Sequence, residues 1–389
     1  MRRLPKAFVC TLLVLLLPGT PTSYAQQLPP QTPTSLDAAR KAAIERGLAY
    51  LAQNGQASDG TFTAESGSGI TSLALTAALR NGRSVDDPLV AKGLKAMENF
   101  VKPDGGIYGG GRLKNYETCV AMVCLVEANA DGRYNETLRR AKEFVTGMQY
   151  GAAGDVDESN PWYGGSSYSG VGRPDLSNTS FMIDALNAMD VGPNDPAIQR
   201  ALQFVSRCQN LDSKHNDTAF APLVNDGGFY YEIPLEKVDP STSPERFTPA
   251  GGLRSYGSIT YAGLKSMVYA GLTADDPRVK AALDWIAQHY TLEQNPGMGD
   301  AGLYFYYHTF GAALHAAAKD KITDAAGVEH PWRADLTKAL AAAQNLDGSW
   351  SNANQRWLEA DKNLATSLAL IALSYCEPQL QPQSQPAGN

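Results

Sequence analysis

The feature that most constrains this chain is a unit of helix, glycine-rich loop and helix that recurs six times. The first helix of each unit is amphipathic and often starts where Asp or Asn is followed by Pro: Asp86-Asp87-Pro88, Asn194-Asp195-Pro196 and Asp275-Asp276-Pro277. An Asp side chain accepts from orphan amides at a helix start, and Pro fits the first turn, where its missing N–H costs nothing. The second helix is apolar on nearly every side and rich in Ala, Leu and Ser, which predicts cover on both faces. These second helices align on Thr71, Thr118, Thr179, Thr260, Thr309 and Thr366, spaced 47, 61, 81, 49 and 57 residues apart. A unit that cannot bury its apolar helix alone must stack on its neighbours. The expected fold class is therefore all-α, with first helices facing solvent and second helices inside. Stacking permits both an open solenoid and a closed ring.

The loops carry their own pattern. Gln53-Asn54 precedes Asp59-Gly60, and Asp104-Gly105-Gly106 fills the next loop. Gln149 precedes Trp162-Tyr163-Gly164-Gly165, and Gln209 precedes Asp226-Gly227-Gly228-Phe229. The last copy is Gln344-Asn345-Leu346-Asp347-Gly348-Ser349-Trp350. Glycine supplies the positive φ of a tight turn, while Gln or Asp satisfies loop backbone groups. That last copy resembles the Gln-Trp motif, QxxDGSW, of squalene-hopene cyclases. Together with the repeat length and element order, it makes the span from Asp37 to Tyr375 similar to the prenyltransferase and squalene-oxidase repeat of terpenoid cyclases and protein prenyltransferases. The resemblance implies closure into an α/α toroid of six helix pairs around a central cavity.

At the N-terminus, Arg2, Arg3 and Lys6 precede the apolar run Phe8 to Leu17, and Ser23-Tyr24-Ala25 offers small residues for cleavage. This reads as a signal peptide over 1–25, because a run of about ten residues is too short to span a bilayer. Export to the periplasm or the medium is expected. Residues 26–36 form a proline-rich linker, 37–377 the repeat domain, and 378–389 a polar tail. The 389-residue chain has a formal charge of −7, which disfavours nucleic acid and acidic membranes as partners. Cys119 and Cys124 fall in an apolar helical stretch and are expected as buried thiols.

In the resembled family, catalytic groups sit just before the aligned threonine. Class II terpene cyclases protonate an alkene with an Asp of a DxDDT motif. The matching stretch is Pro174-Asp175-Leu176-Ser177-Asn178-Thr179. Asp175 and Thr179 match, but Ser177 stands where the proton donor belongs, and a hydroxyl is too weak an acid. Zinc prenyltransferases use an Asp, a Cys two residues later, and a His in a Tyr-His-Thr context. Tyr307-His308-Thr309 matches the third element, while Tyr256 and Ser258 replace the first two ligands, so no metal and no cofactor is expected.

The candidate catalytic groups are Asp175, Glu117 and His308; the alternatives are a hydrogen-bonded cavity-wall role for His308 and a solvated rim carboxylate for Glu117. The candidate ligand-binding residues are Tyr116, Asn178, Tyr256, Tyr307 and Trp357, and core packing is the alternative for the aromatics. The leading expectation is a toroid that binds an apolar, isoprenoid-like ligand or a partner at its cavity. The alternatives are an isoprenoid-modifying enzyme with other acids, or a carbohydrate-active enzyme using Glu117 opposite Asp361.

Overall fold

In the computed structural model, residues 35–236 and 238–377 are described. The signal-like segment, residues 26–34 and the C-terminal tail lie outside the described residues. Six outer helices are present: α1 (Leu36–Tyr50), α3 (Pro88–Met97), α5 (Asn135–Gly147), α7 (Pro196–Arg207), α10 (Pro277–Gln288) and α12 (Trp332–Ala343). They alternate with six inner helices: α2 (Gly69–Arg80), α4 (Lys114–Glu127), α6 (Leu176–Ala188), α9 (Gly257–Tyr269), α11 (Leu303–Ala316) and α13 (Lys362–Ser374). A single helical turn, α8 (Ala221–Val224), lies in the long connection between α7 and α9. A two-residue hairpin, β1 (Ile322–Thr323) with β2 (Glu329–His330), joins α11 to α12.

The Asp-Pro starts form as the sequence predicts. Asp87, Asp195 and Asp276 accept from the amides of Leu89, Ala197 and Arg278 at 3.0, 2.8 and 2.9 Å. The inner helices pack α2 on α4, α4 on α6, α6 on α9, α9 on α11 and α11 on α13, and α13 returns to α2. The ring is closed, because an open solenoid would leave α13 and α2 apart.

The loop glutamines join one repeat to the next. The side-chain amide of Gln149 donates to Gly164 O in its own loop and to Ala197 O on the next outer helix, both at 2.9 Å. Gln209 bridges Gly227 O and Arg278 O in the same way, at 2.9 and 2.8 Å. Gln344 does so across the chain termini, reaching Gly348 O at 2.8 Å and Ala43 O of α1 at 2.9 Å. In the first repeat the bridging residue is Gln56, not Gln53, with contacts to Gly60 O and Leu89 O at 3.1 and 2.9 Å.

Beside these bridges, Gly164 has φ +82° and a Cβ there would stand 1.7 Å from Arg200 O, so only glycine permits the approach. The aligned threonines anchor the other side of each loop. Thr71, Thr118, Thr179, Thr260 and Thr366 accept through Oγ1 from the amides of Phe62, Ile107, Ser166, Phe229 and Trp350 at 2.9–3.1 Å. Thr309 differs: its hydroxyl bonds Phe305 O and Tyr306 O inside its own helix. The fifth loop lacks the Asp-Gly pattern and is organised by Asn295, whose Nδ2 donates to Ala301 O at 3.0 Å.

Candidate functional site

The ring has two chemically different ends. At the N-terminal ends of the inner helices, four carboxylates and one amide are taken up by amide donors that a helix start leaves unpaired. Glu117 reaches from α4 to the start of α2, where its Oε2 accepts from Ser68 N at 2.8 Å, Ser68 Oγ at 3.2 Å and Gly109 N at 2.7 Å. Asp175 caps α6: Oδ1 accepts from Asn178 N and Oδ2 from Asn178 Nδ2, both at 2.8 Å. Asn295 Oδ1 accepts from Ser258 N at the start of α9 at 2.9 Å, and Glu359 Oε1 accepts from Phe305 N in the first turn of α11 at 2.8 Å. Asp361 Oδ1 accepts from Asn363 N and Leu364 N at 2.8 and 3.0 Å, with Thr63 Oγ1 donating to Oδ2 at 2.8 Å. Glu117 and Asp361 therefore each hold a helix start.

Burial pushes Asp175 up to about 6, against which its bonds from Asn178 act. Burial likewise raises Glu359, opposed by the amides it accepts. Asn178 serves Asp175, while its own Oδ1 is buried without a partner among the described residues. The Tyr307 hydroxyl donates to Leu292 O at 2.6 Å, which fixes the loop before α11.

Between the two ends stands an aromatic partition. Phe181 meets Tyr116 edge-on at 5.0 Å and Phe305 at 6.0 Å. Because α6 and α11 are separated by α9 in the ring, Phe181 and Phe305 can touch only across its interior.

Beyond Phe181, toward the C-terminal ends of the inner helices, a cavity of about 550 Å³ opens. Counted from the aligned threonines, its wall is built in register. Leu73, Val120 and Phe181 lie two residues on; Thr76, Val123, Asp184, Lys265 and Ile371 lie five on; Arg80, Glu127, Tyr269 and Tyr375 lie nine on. Positions five and nine are four apart, one turn on the same helix face.

Two ion pairs cross between neighbouring helices of this wall. Lys265 Nζ lies 2.6 Å from Asp184 Oδ2, with the lysine side chain 3% exposed, and Arg80 Nε lies 2.8 Å from Glu127 Oε1. Arg80 also donates to the Tyr375 hydroxyl at 2.6 Å. His308 shares the cavity wall. Burial, reinforced by the Lys265 and Arg80 charges, holds it well below its usual range, so the ring is neutral near pH 7. Its Nδ1 and Asp184 Oδ1 are buried without partners among the described residues.

The structure thus separates the residues singled out from sequence. Asp175, Glu117, Asn178 and Tyr307 belong to the framework of the N-terminal rim, Tyr116 to the partition, and His308 to the cavity. Tyr256 and Trp357 meet in a separate cleft on the N-terminal side. Sequence reasoning missed Arg80, Glu127, Asp184 and Lys265. The signal was available, since a charge in a helix apolar on nearly every side must face a cavity or a partner. Among the described residues no group of His, Cys, Asp and Glu is placed to hold a metal, and Cys119, Cys124, Cys208 and Cys376 are buried and unbridged.

Residues 65–233 match the squalene-hopene cyclase C-terminal domain family. Among solved structures, the type II terpene cyclase of Scytonema in complex with its substrate geranylgeranyl dihydroxybenzoate superposes with a TM-score of 0.51 at 13% identity, covering 88% of this chain and 97% of that one. The fold of this chain is an α/α toroid of the kind that the terpene cyclase has. Toroids of other activities also superpose. A D-mannose isomerase gives 0.57 at 11% identity, over 89% of this chain and 99% of its own. An α-amylase from Clostridium perfringens gives 0.51 at 11%, over 86% and 98%. Identities this low establish the shared fold and leave activity to the site. A comparison with curated proteins finds no match.

Proposed function

We propose that this toroid is an exported protein that binds an uncharged, hydroxyl-bearing isoprenoid in its central cavity. The observation that carries the reading is the layered wall. Leu73, Val120 and Phe181 give an apolar floor, Val123 and Ile371 share the next layer with Thr76 and the Asp184–Lys265 pair, and Arg80, Glu127, Tyr269 and Tyr375 form a polar collar. A floor of this kind suits a hydrocarbon tail, and a collar of donors and acceptors suits a polar head. The charges on the wall balance, Arg80 against Glu127 and Lys265 against Asp184, with His308 neutral. A diphosphate would have to break these pairs to find its counter-charge, whereas a hydroxyl can join them unchanged. The substrate bound by the Scytonema cyclase makes an isoprenoid a reasonable first probe. The basic-then-apolar N-terminus supports export.

Binding rather than turnover is favoured because the acids at the family's catalytic level are spent as caps, Glu117 for α2 and Asp175 for α6. Both carboxylates on the cavity wall are paired with cations. The test is calorimetry and native mass spectrometry of the mature protein with geranylgeraniol and with geranylgeranyl diphosphate. One molecule of the alcohol should bind, more tightly than the diphosphate, and Val123→Trp should block it by filling the cavity. Tighter binding of the diphosphate, or none of either, would overturn the reading. A converted product lost in Asp175→Asn would replace it with the enzymatic one.

A further inference from the structure

The cleft on the opposite side, about 650 Å³, has different chemistry. Four arginines line it, Arg173, Arg246, Arg254 and Arg356, against two carboxylates, Glu232 and Glu245, in a chain whose overall charge is negative. Glu232, its side chain 5% exposed, is held between Arg173 and Arg246. Arg254 donates through Nε to Pro244 O and Phe247 O at 2.9 Å. Arg356 has no ion pair among the described residues and lies 4.5 Å over the Trp357 ring. The N-terminal ends of the inner helices, the positive ends of their dipoles, point to this side.

Trp357 and its neighbour Leu358 stand at φ 56° and 64°, two successive non-glycine residues in the left-handed region. Each costs about 1–2 kcal/mol there. The strain sets the Trp357 ring against Gly302, where a Cβ would come within 2.8 Å, and leaves the residue 44% exposed beside Tyr256. The indole, with the Arg356 guanidinium over one face and Gly302 against it, keeps part of its apolar surface exposed beside a forked cation that has no ion pair among the described residues. That combination matches a pyranose ring bearing a carboxylate: the carboxylate takes the outward N–H groups of the guanidinium fork, the C–H edge of the ring lies against the exposed part of the indole and Tyr256, and Tyr231 and Glu245 are at hand for hydroxyls.

We propose that this cleft is a binding site for an anionic saccharide, a sugar carrying a carboxylate, distinct from the central cavity. The test is saturation-transfer NMR and calorimetry on the full mature protein with digalacturonate, with cellobiose as the neutral control and inorganic phosphate as competitor. Digalacturonate should bind with an affinity that falls as salt rises, and cellobiose should not. Arg356→Gln and Trp357→Ala should each weaken binding roughly tenfold, the ratio for one charge-assisted contact, with circular dichroism and Tm unchanged. Equal binding of cellobiose, displacement by phosphate as effective as by free uronate, or variants that bind as the parent does would each overturn the proposal.

Discussion

The two ends of the inner helices use the same kinds of side chain for opposite purposes. At the N-terminal rim the carboxylates of Glu117, Asp175, Glu359 and Asp361 each accept from backbone amides, so the acid is bound to a helix start. Nine residues or so further along, Glu127 and Asp184 meet no backbone donor and pair with Arg80 and Lys265 on neighbouring helices. The difference follows from helix chemistry. The first turn exposes amides that attract an acceptor, whereas mid-helix amides are spent internally and leave a side chain to find another side chain or a ligand. The rim acids Glu117 and Asp175, candidates for chemistry by resemblance, each accept from an amide at a helix start. The charged groups without a backbone partner sit deeper in the ring.

The largest expected effect tests the cavity side of this contrast. Lys265→Met should destabilise the protein by about 3–5 kcal/mol, because it leaves Asp184 as an uncompensated, largely buried charge. Adding Asp184→Leu should restore most of the loss in urea denaturation, and a double variant no more stable than the single one would deny that the pair acts as a unit. On the rim side, Glu117→Ala should cost about 2–3 kcal/mol through unsatisfied buried amides at the start of α2. Glu117→Gln, which keeps an acceptor, should cost about half as much. If Glu117→Gln kept stability but abolished ligand uptake, the rim would have a functional acid after all and the comparison would break.

A smaller effect is readable in pH. Asp175 titrates near 6 in the fold against 3.8 in the unfolded chain. Its contribution is therefore favourable while it is protonated and is lost as pH rises through the interval between those values. Asp175→Asn, which retains an acceptor for the cap, should remove up to about 2–3 kcal/mol of that slope between pH 4 and 6. Denaturation midpoints measured across this interval should be flatter in the variant. An unchanged slope would mean that another buried acid, Glu359 first, carries it.

Much of the architecture was legible because it is written in local rules. Asp before Pro marks an outer helix through its first amides, and an apolar helix with no polar face marks an inner one. The Gln of each loop was legible as a backbone partner, yet not that it would bridge to the next repeat. In the first loop the motif position is Gln53, and only folded geometry shows that Gln56 is the residue that reaches Leu89 O. The aligned threonines were visible as a register before their work as loop anchors was. The charged wall is not marked by any motif, although Asp184 and Lys265 stand at equal distances from Thr179 and Thr260. No local rule says that residues on separate helices face one another.

The sequence by itself determined six helix pairs, which helix of each pair is buried, and where the loops turn, since these depend on contacts within a few residues. Only the tertiary structure decided that the ring closes, through α13 on α2 and Gln344 on Ala43. It also decided that Phe181 and Phe305 divide the interior, and which acids are caps and which line a cavity. Those outcomes depend on partners brought together from tens to hundreds of residues apart, and a carboxylate's role is set by whether an amide, a cation or open space lies opposite it.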